Sequence, residues 1–263
     1  MRLLDASQIR AIVPDSVDRI DTLDEVGSTN DFLKDAALPE PRRWHLALAD
    51  MQTKGRGRGE NSWLSPPGAG LWMSAVHTFD EVPSGLSSFT LAVGVAVADA
   101  LASAGVHDIR LKWPNDLIVN DRKLGGILVE SINGGRTAVC GIGINVALPD
   151  LDGLSFSGSL RPVDLARVCG EAPDRNGLAG GIVTRLVDVA ESYASGGFAQ
   201  FANQWTNYDW LRGRKVFVSG IEPPLTGVAN GIGENGELML RHGKTDIPVV
   251  SGSVRPIDQE AQR

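Results

Sequence analysis

A lysine set just behind a tight turn, between two short apolar runs, is the residue of this chain best placed for chemistry. The stretch from Lys112 to Glu130 reads KWPNDLIVNDRKLGGILVE. Leu117, Ile118 and Val119 make one strand. Asn120-Asp121 tolerate the left-handed backbone of a two-residue turn, and Lys123 opens the strand that Ile127, Leu128 and Val129 carry into the interior. Gly125-Gly126 remove side chains just past the lysine, where a ligand or another backbone can come close. Three more stretches belong with it. Ser28-Thr29-Asn30 precede a helix, Gly55-Arg56-Gly57-Arg58-Gly59 alternate small and cationic residues, and Gly141, Gly143 and Asn145 space out a strand. Each has a plain reading as well. The hairpin is a surface turn, the tripeptide a helix cap, the Gly/Arg run a flexible tether, and a lone Gly-x-Gly is common. There is no Ser-His-Asp set, no zinc spacing and no Walker loop. What remains suits activation of a carboxylate by ATP. That reaction needs no covalent enzyme group, only two anions brought together and developing charge stabilised by lysine, arginine and Mg2+.

The elements that must hold these residues are legible in outline. Residues 5–12 read as a short helix, 20–26 as a strand, and Asp31 onward as a helix. Strands follow at 44–51 and 70–79, then a long Ala/Val-rich helix over 88–104, the hairpin, and a strand over 137–146. Residues 147–172 read as a long loop over the site. Asp174 caps a helix running to Tyr193, and a second helix spans 198–205. From Arg214, four or five short strands in about fifty residues predict a small β-barrel or sandwich, with a domain boundary near residue 212. Trp63 is read as a core anchor and His77 as a half-buried strand residue.

The 263 residues, 42% hydrophobic and 22% charged, are an ordinary globular composition that can bury a real core. The net charge of −7 argues against broad nucleic-acid or anionic-membrane binding. Cys140 and Cys169, without metal-ligand spacing, fit a reducing cytoplasm. No signal peptide is evident, and no apolar run reads as a membrane span.

Lys112-Trp113-Pro114-Asn115-Asp116 followed by Lys123-Leu124-Gly125-Gly126-Ile127 resembles the signature of biotin protein ligases. The resemblance runs from about residue 20 to the C-terminus. It implies an α+β fold, a mixed sheet with flanking helices of the class II aminoacyl-tRNA synthetase/biotin ligase kind, plus a small C-terminal β-barrel. Residues 1–212 would form the catalytic domain and 213–263 the barrel. MRLLDASQI is similar to the segment that follows the DNA-binding domain of two-function ligases, so the expected chain is single-function or a fragment.

The implied activity is formation of biotinyl-5′-AMP from biotin and ATP, then transfer to a lysine of a biotin carboxyl carrier protein. The implied biotin-binding residues are Ser28, Thr29, Asn30, Gln52, Gly55, Arg56, Gly57, Arg58, Lys123, Gly125 and Gly126. For ATP they are Arg56, Arg58, Lys112, Asn115, Lys123 and Asn145, with Lys123 and Arg58 catalytic and Asp116 the candidate Mg2+ ligand. Small hydroxyls suit a ureido ring, which offers one carbonyl and two N–H groups. Gly59-Glu60 departs from the family's basic residue and glycine, so the likeness carries over to Arg56 and Arg58 and no further. No nucleic acid or membrane is expected as a partner, and family members often pair sheet edges into homodimers. Two other readings compete: a lipoate or octanoate ligase, and a non-enzymatic biotin-sensing or nucleic-acid-binding module.

Overall fold

The computed structural model describes residues 3–59, 61–149 and 160–257. Asp5 caps α1 (Ala6–Arg10), accepting from the backbone N–H groups of Ser7 and Gln8. β1 (Val17–Val26), α2 (Thr29–Asp35) and β2 (Trp44–Gln52) follow. β1 and β2 pair in parallel, so the chain must cross over between them, and α2 is that crossover. This places Ser28-Thr29-Asn30 where β1 ends and the helix begins. β3 (Gly70–Thr78), α3 (Phe89–Ser103), β4 (Arg110–Lys112), β5 (Asp116–Val119), β6 (Arg122–Ile132) and β7 (Thr137–Asn145) complete a seven-stranded sheet of order β1-β2-β3-β7-β6-β5-β4. Asn120 and Asp121, at φ 52° and 55°, make the turn expected of them between β5 and β6.

One face of the sheet is covered by α3 and α5 (Arg175–Gly196) and holds the main core. α3 is apolar over most of its circumference because it lies inside the protein. Its neighbourhood, Leu86–Ser103, has the length and hydropathy of a membrane span, yet here it is the central core helix. Rings tie the layers together: Trp44 stacks on His77 at 4.4 Å, and Phe79, Phe89 and Tyr193 continue edge to face toward α5. Arg175, 2% exposed, pairs with Asp50 of β2 at 2.8 Å and pins the start of α5 to the sheet. α2 packs on the other face over Ala47, Val76 and Val139, and leaves the rest of that face for the site.

His77 is buried rather than half-buried, and its Nδ1 faces the Arg43 carbonyl at 3.1 Å. Burial pushes its pKa down to about 4. The unfolded imidazole takes a proton near pH 6.5 and the folded one does not, so stability is full above pH 6.5 and falls as pH drops toward 4. His77→Phe is expected to remove about 1 kcal/mol of the stability lost between pH 6.5 and 5.5, read by urea denaturation at both pH values.

The expected loop over 147–172 contains α4 (Leu165–Cys169), capped by Asp164, while residues 150–159 lie outside the described residues. α6 (Ala202–Tyr208) leads to the C-terminal unit, with β8 (Lys215–Ser219), β9 (Leu225–Ile232), β10 (Leu238–His242), β11 (Thr245–Val249) and β12 (Ser253–Pro256). The expected barrel is not formed. These strands make an open antiparallel sheet of order β11-β10-β9-β8-β12, whose two edges do not pair with each other. Both edge strands are short and carry a proline, Pro248 and Pro256, and each proline lacks the N–H that a closing ladder would need. Strand count cannot distinguish an open sheet from a closed one.

Candidate active site

Two rows of paired residues cross the free face of the large sheet. One runs Trp72, Gly143, Gly126 and Asp116, and the next runs Ser74, Gly141 and Leu128. The adjacent glycines Gly143 and Gly126 make a floor without side chains. The Trp63 indole lies on that floor. A Cβ on Gly143 would stand 2.8 Å from its Nε1, and one on Gly126 would stand 3.2 Å from the ring. Trp63 meets Trp72 edge-on at 6.4 Å, and Lys123 Nζ sits 5.2 Å from its centroid. Trp63 is therefore a wall of the site, not the core anchor expected of it. Gly125 has no room at all, since a Cβ there would be 2.5 Å from the Gly143 carbonyl oxygen.

At the end of the glycine row, Asp116 holds two lysines. Lys123 Nζ is 2.6 Å from Oδ1 and Lys112 Nζ is 2.8 Å from Oδ2. Asp116 is 13% exposed, Lys112 7% and Lys123 30%, so one carboxylate gathers one buried and one partly buried cation. Burial works to raise the Asp116 pKa, but the charges of Lys112 and Lys123 outweigh it and hold the group below the usual carboxylate range. The backbone of Lys123 is clamped as well. Its N–H donates to Arg161 O at 2.8 Å, and its carbonyl accepts from Val163 N–H at 2.9 Å. Asn145 fixes the same segment by donating Nδ2 to Val163 O at 3.0 Å, and Asn115 donates to Ile127 O at 2.8 Å. Both amides, expected on the nucleotide, spend these N–H groups on backbone.

Asp116 does not fit its expected place as a Mg2+ ligand. Each of its oxygens already holds an ammonium group, and no set of three His, Cys, Asp or Glu side chains converges among the described residues.

The Gly/Arg loop closes on itself through Gly57 N–H to Asn61 O and Trp63 N–H to Gly55 O. Its two arginines go to different places. Arg56 Nη2 reaches Glu130 at 2.6 Å and Asp31 at 2.8 Å. Arg58 donates Nη1 to the Gly252 carbonyl at 2.8 Å, in the C-terminal sheet. Burial lowers the Arg58 pKa, and the charge of Asp116 opposes that shift, which places Arg58 in the field of the two-lysine carboxylate. Glu60 lies outside the described residues.

The polar end of the site is a ladder of side chains. Gln52 Oε1 accepts from Thr29 N at 2.9 Å and Thr29 Oγ1 at 3.2 Å, while its Nε2 donates to Ser65 Oγ at 2.9 Å. Ser74 Oγ lies 2.6 Å from Thr29 Oγ1 and 2.5 Å from Asn30 Oδ1, with one proton to give. Asn30 fills the space above Gly141, where a Cβ would come within 2.5 Å of it, and donates Nδ2 to Glu130 at 2.8 Å. Ser28 caps α2 only through a long 3.5 Å contact from Asp31 N. Ser65, Ser74 and Glu130 were absent from the expected site. Strand alternation could have put Ser74 beside Gly141, but it gives no partner for Glu130.

The structure thus brings Lys112, Asp116, Lys123 and Trp63 together at one end of a glycine floor. It puts Ser28, Thr29, Asn30 and Gln52 at the other, with the Gly/Arg loop beside them. Such a site can hold a neutral polar head at one end and anions at the other.

The chain is similar to known proteins along most of its length. Residues 23–146 match the profile of the Biotin/lipoate A/B protein ligase family. The bifunctional ligase/repressor BirA of Escherichia coli is 30% identical over 259 residues, which is 97% of this chain and 78% of BirA. A biotin–[acetyl-CoA-carboxylase] ligase of Mycobacterium tuberculosis is 29% identical over 245 residues, 90% of this chain and 88% of that protein. Among solved structures, the biotin protein ligase from Aquifex aeolicus in complex with biotin and ATP superposes with a TM-score of 0.76 at 25% identity, over 92% of this chain and 100% of its own. With a glycine floor, a paired-lysine carboxylate and this degree of likeness in one polypeptide, the chain belongs to the biotin/lipoate A/B protein ligase family.

Proposed function

We propose that this chain is an ATP-dependent biotin–protein ligase. The observation that carries the reading is the two-ended site: a ladder of hydroxyl and amide groups lies at one end of a glycine floor and the Lys112–Asp116–Lys123 cluster at the other. The ladder suits a ureido ring, which both donates and accepts, and the cations suit a carboxylate meeting a phosphate. A lipoyl ring has no such polar head, so the ladder favours biotin within this family. The relatives' names, which include biotin and acetyl-CoA carboxylase, support the same substrate and a biotin carboxyl carrier domain as partner.

In the first step a biotin carboxylate oxygen attacks the α-phosphorus of ATP, and pyrophosphate leaves. Lys123 faces both anions, and its ammonium offsets their repulsion as they approach. In the second step the ε-amine of a carrier lysine attacks the acyl carbon, forms the amide, loses a proton and expels AMP. Mg2+ would enter with the nucleotide phosphates. Residues 1–212 form the catalytic unit in this proposal and 213–263 a small appended β unit. Two free cysteines suit the cytoplasm. Calorimetry with biotin and with lipoate tests the reading, since tighter binding of lipoate would sink it.

Ser28→Ala separates binding from capping. Because the cap contact is long, the hydroxyl is available to a ligand, and the variant is expected to weaken biotin binding by roughly 1–2 kcal/mol while the melting temperature barely moves. A lower melting temperature with unchanged affinity would return Ser28 to the helix cap alone.

A further inference from the structure

One carboxylate touches both lips of the site. Glu130 Oε2 accepts from Asn30 Nδ2 at 2.8 Å and from Arg56 Nη2 at 2.6 Å, and its Oε1 meets Lys34 Nζ at 3.1 Å. Asp31 joins the same network, 2.8 Å from both Arg56 and Lys34. Asn30 belongs to the helix start that carries the polar ladder, and Arg56 belongs to the Gly/Arg loop. The contacts span 100 and 74 residues of sequence, so they join elements that the chain itself does not hold together. Apart from Arg58 on the Gly252 carbonyl of the small sheet, the rest of the loop is tied mainly to itself: Lys54 N–H meets Gly27 O, and beyond that the backbone bonds run between Gly55, Gly57, Asn61 and Trp63. With two glycines flanking it, Arg56 is the point where the large sheet holds the loop. Its guanidinium already faces two carboxylates, so it is poorly placed to serve a phosphate.

We infer that Glu130 is a positioning residue: through Arg56 it seats the Gly/Arg loop over the site, and through Asn30 it holds the polar helix start opposite. This division leaves Arg58, whose guanidinium among the described residues donates to one backbone carbonyl, as the arginine that can turn to a ligand. The inference rests on the ligase reading for what the loop covers, but the seating itself does not.

The test uses the full chain and two readouts, biotin titration and the rate of trypsin cleavage after Arg58. Glu130→Gln is expected to raise the biotin dissociation constant about tenfold and to speed cleavage about five- to tenfold, because a charge-assisted anchor is lost. Pyrophosphate release at saturating biotin should move less than about twofold, so the change falls on KM rather than kcat. In an Arg56→Ala background the same substitution should add almost nothing to cleavage, since it acts through Arg56. Arg56→Ala also reports the contact from its exposed side if Glu130→Gln does not fold. Unchanged cleavage in both single variants, or full additivity between them, overturns the inference. A wild-type chain that binds no biotin overturns the ligase reading instead, and the cleavage arm still judges the seating.

Discussion

Lys123→Ala is expected to give a folded chain that forms the adenylate about 10²–10³-fold more slowly. The folded part follows from position. Lys123 is 30% exposed at the end of a turn, and the clamp on it runs through its backbone, which alanine keeps. Asp116 keeps Lys112 at 2.8 Å, so no buried carboxylate is stranded. The slow step follows from charge. Lys123 Nζ is the more exposed of the two ammonium groups on Asp116 and faces the Trp63 wall beside the glycine floor, where a carboxylate and an α-phosphate would meet. Two anions brought together lose the cation that offsets their repulsion, and one preorganised donor of this kind is worth about 2.7–4 kcal/mol. Pyrophosphate release at saturating biotin and ATP measures it, with melting temperature as the folding control. Turnover near wild type would remove Lys123 from the reaction. Lys112→Ala offers the contrast: Lys112 is 7% exposed, so its loss should cost stability as well as rate.

What could be read in the sequence was local. The hairpin follows from turn chemistry, since Asn and Asp take positive φ and short apolar runs flank them on each side. α3 follows from a long apolar run, and the start of α2 from a small polar residue before a helix. What could not be read was contact across the fold. The wall made by Trp63 depends on a loop folding back over β6 and β7, and a tryptophan between two strands looks like core. The partner of Arg56 is 74 residues away, and the clamp on Lys123 comes from Arg161 and Val163. Asp116 stands out in the sequence, but its two partners do not. An aspartate beside an asparagine looks like a metal ligand until Lys112, four residues back, and Lys123, seven residues on, close on its two oxygens. The barrel failed for the same reason, because whether β11 meets β12 is decided by edge geometry rather than by strand propensity.

Arg58→Gly is expected to make the adenylate but release it about 10–100-fold faster. An acyl-phosphate anhydride is attacked by water and by any amine, so a ligase has to keep it covered until the carrier arrives. The expected cover is the Gly/Arg loop, and its two arginines give it two attachments: Arg56 to the large sheet through Glu130 and Asp31, and Arg58 to the small sheet through the Gly252 carbonyl. A neutral carbonyl is a weaker partner than a phosphate, and Arg58 already sits half-buried in the field of Asp116 beside Lys123. When the adenylate is present, Arg58 can exchange Gly252 for the phosphate and lock the loop, a gain of roughly 1.5–3 kcal/mol. Glycine removes the side chain that bonds Gly252 and would grip the phosphate, and it adds backbone freedom to a loop that already has three glycines in five residues. Lys123 is untouched, so chemistry continues while retention fails. Incubation of the variant with albumin, biotin and ATP, without carrier, should then biotinylate albumin far beyond the wild-type level. If Arg58→Gly forms adenylate at the normal rate and labels albumin no more than wild type, Arg58 does not hold the intermediate, and its bond to Gly252 only joins the loop to the small sheet.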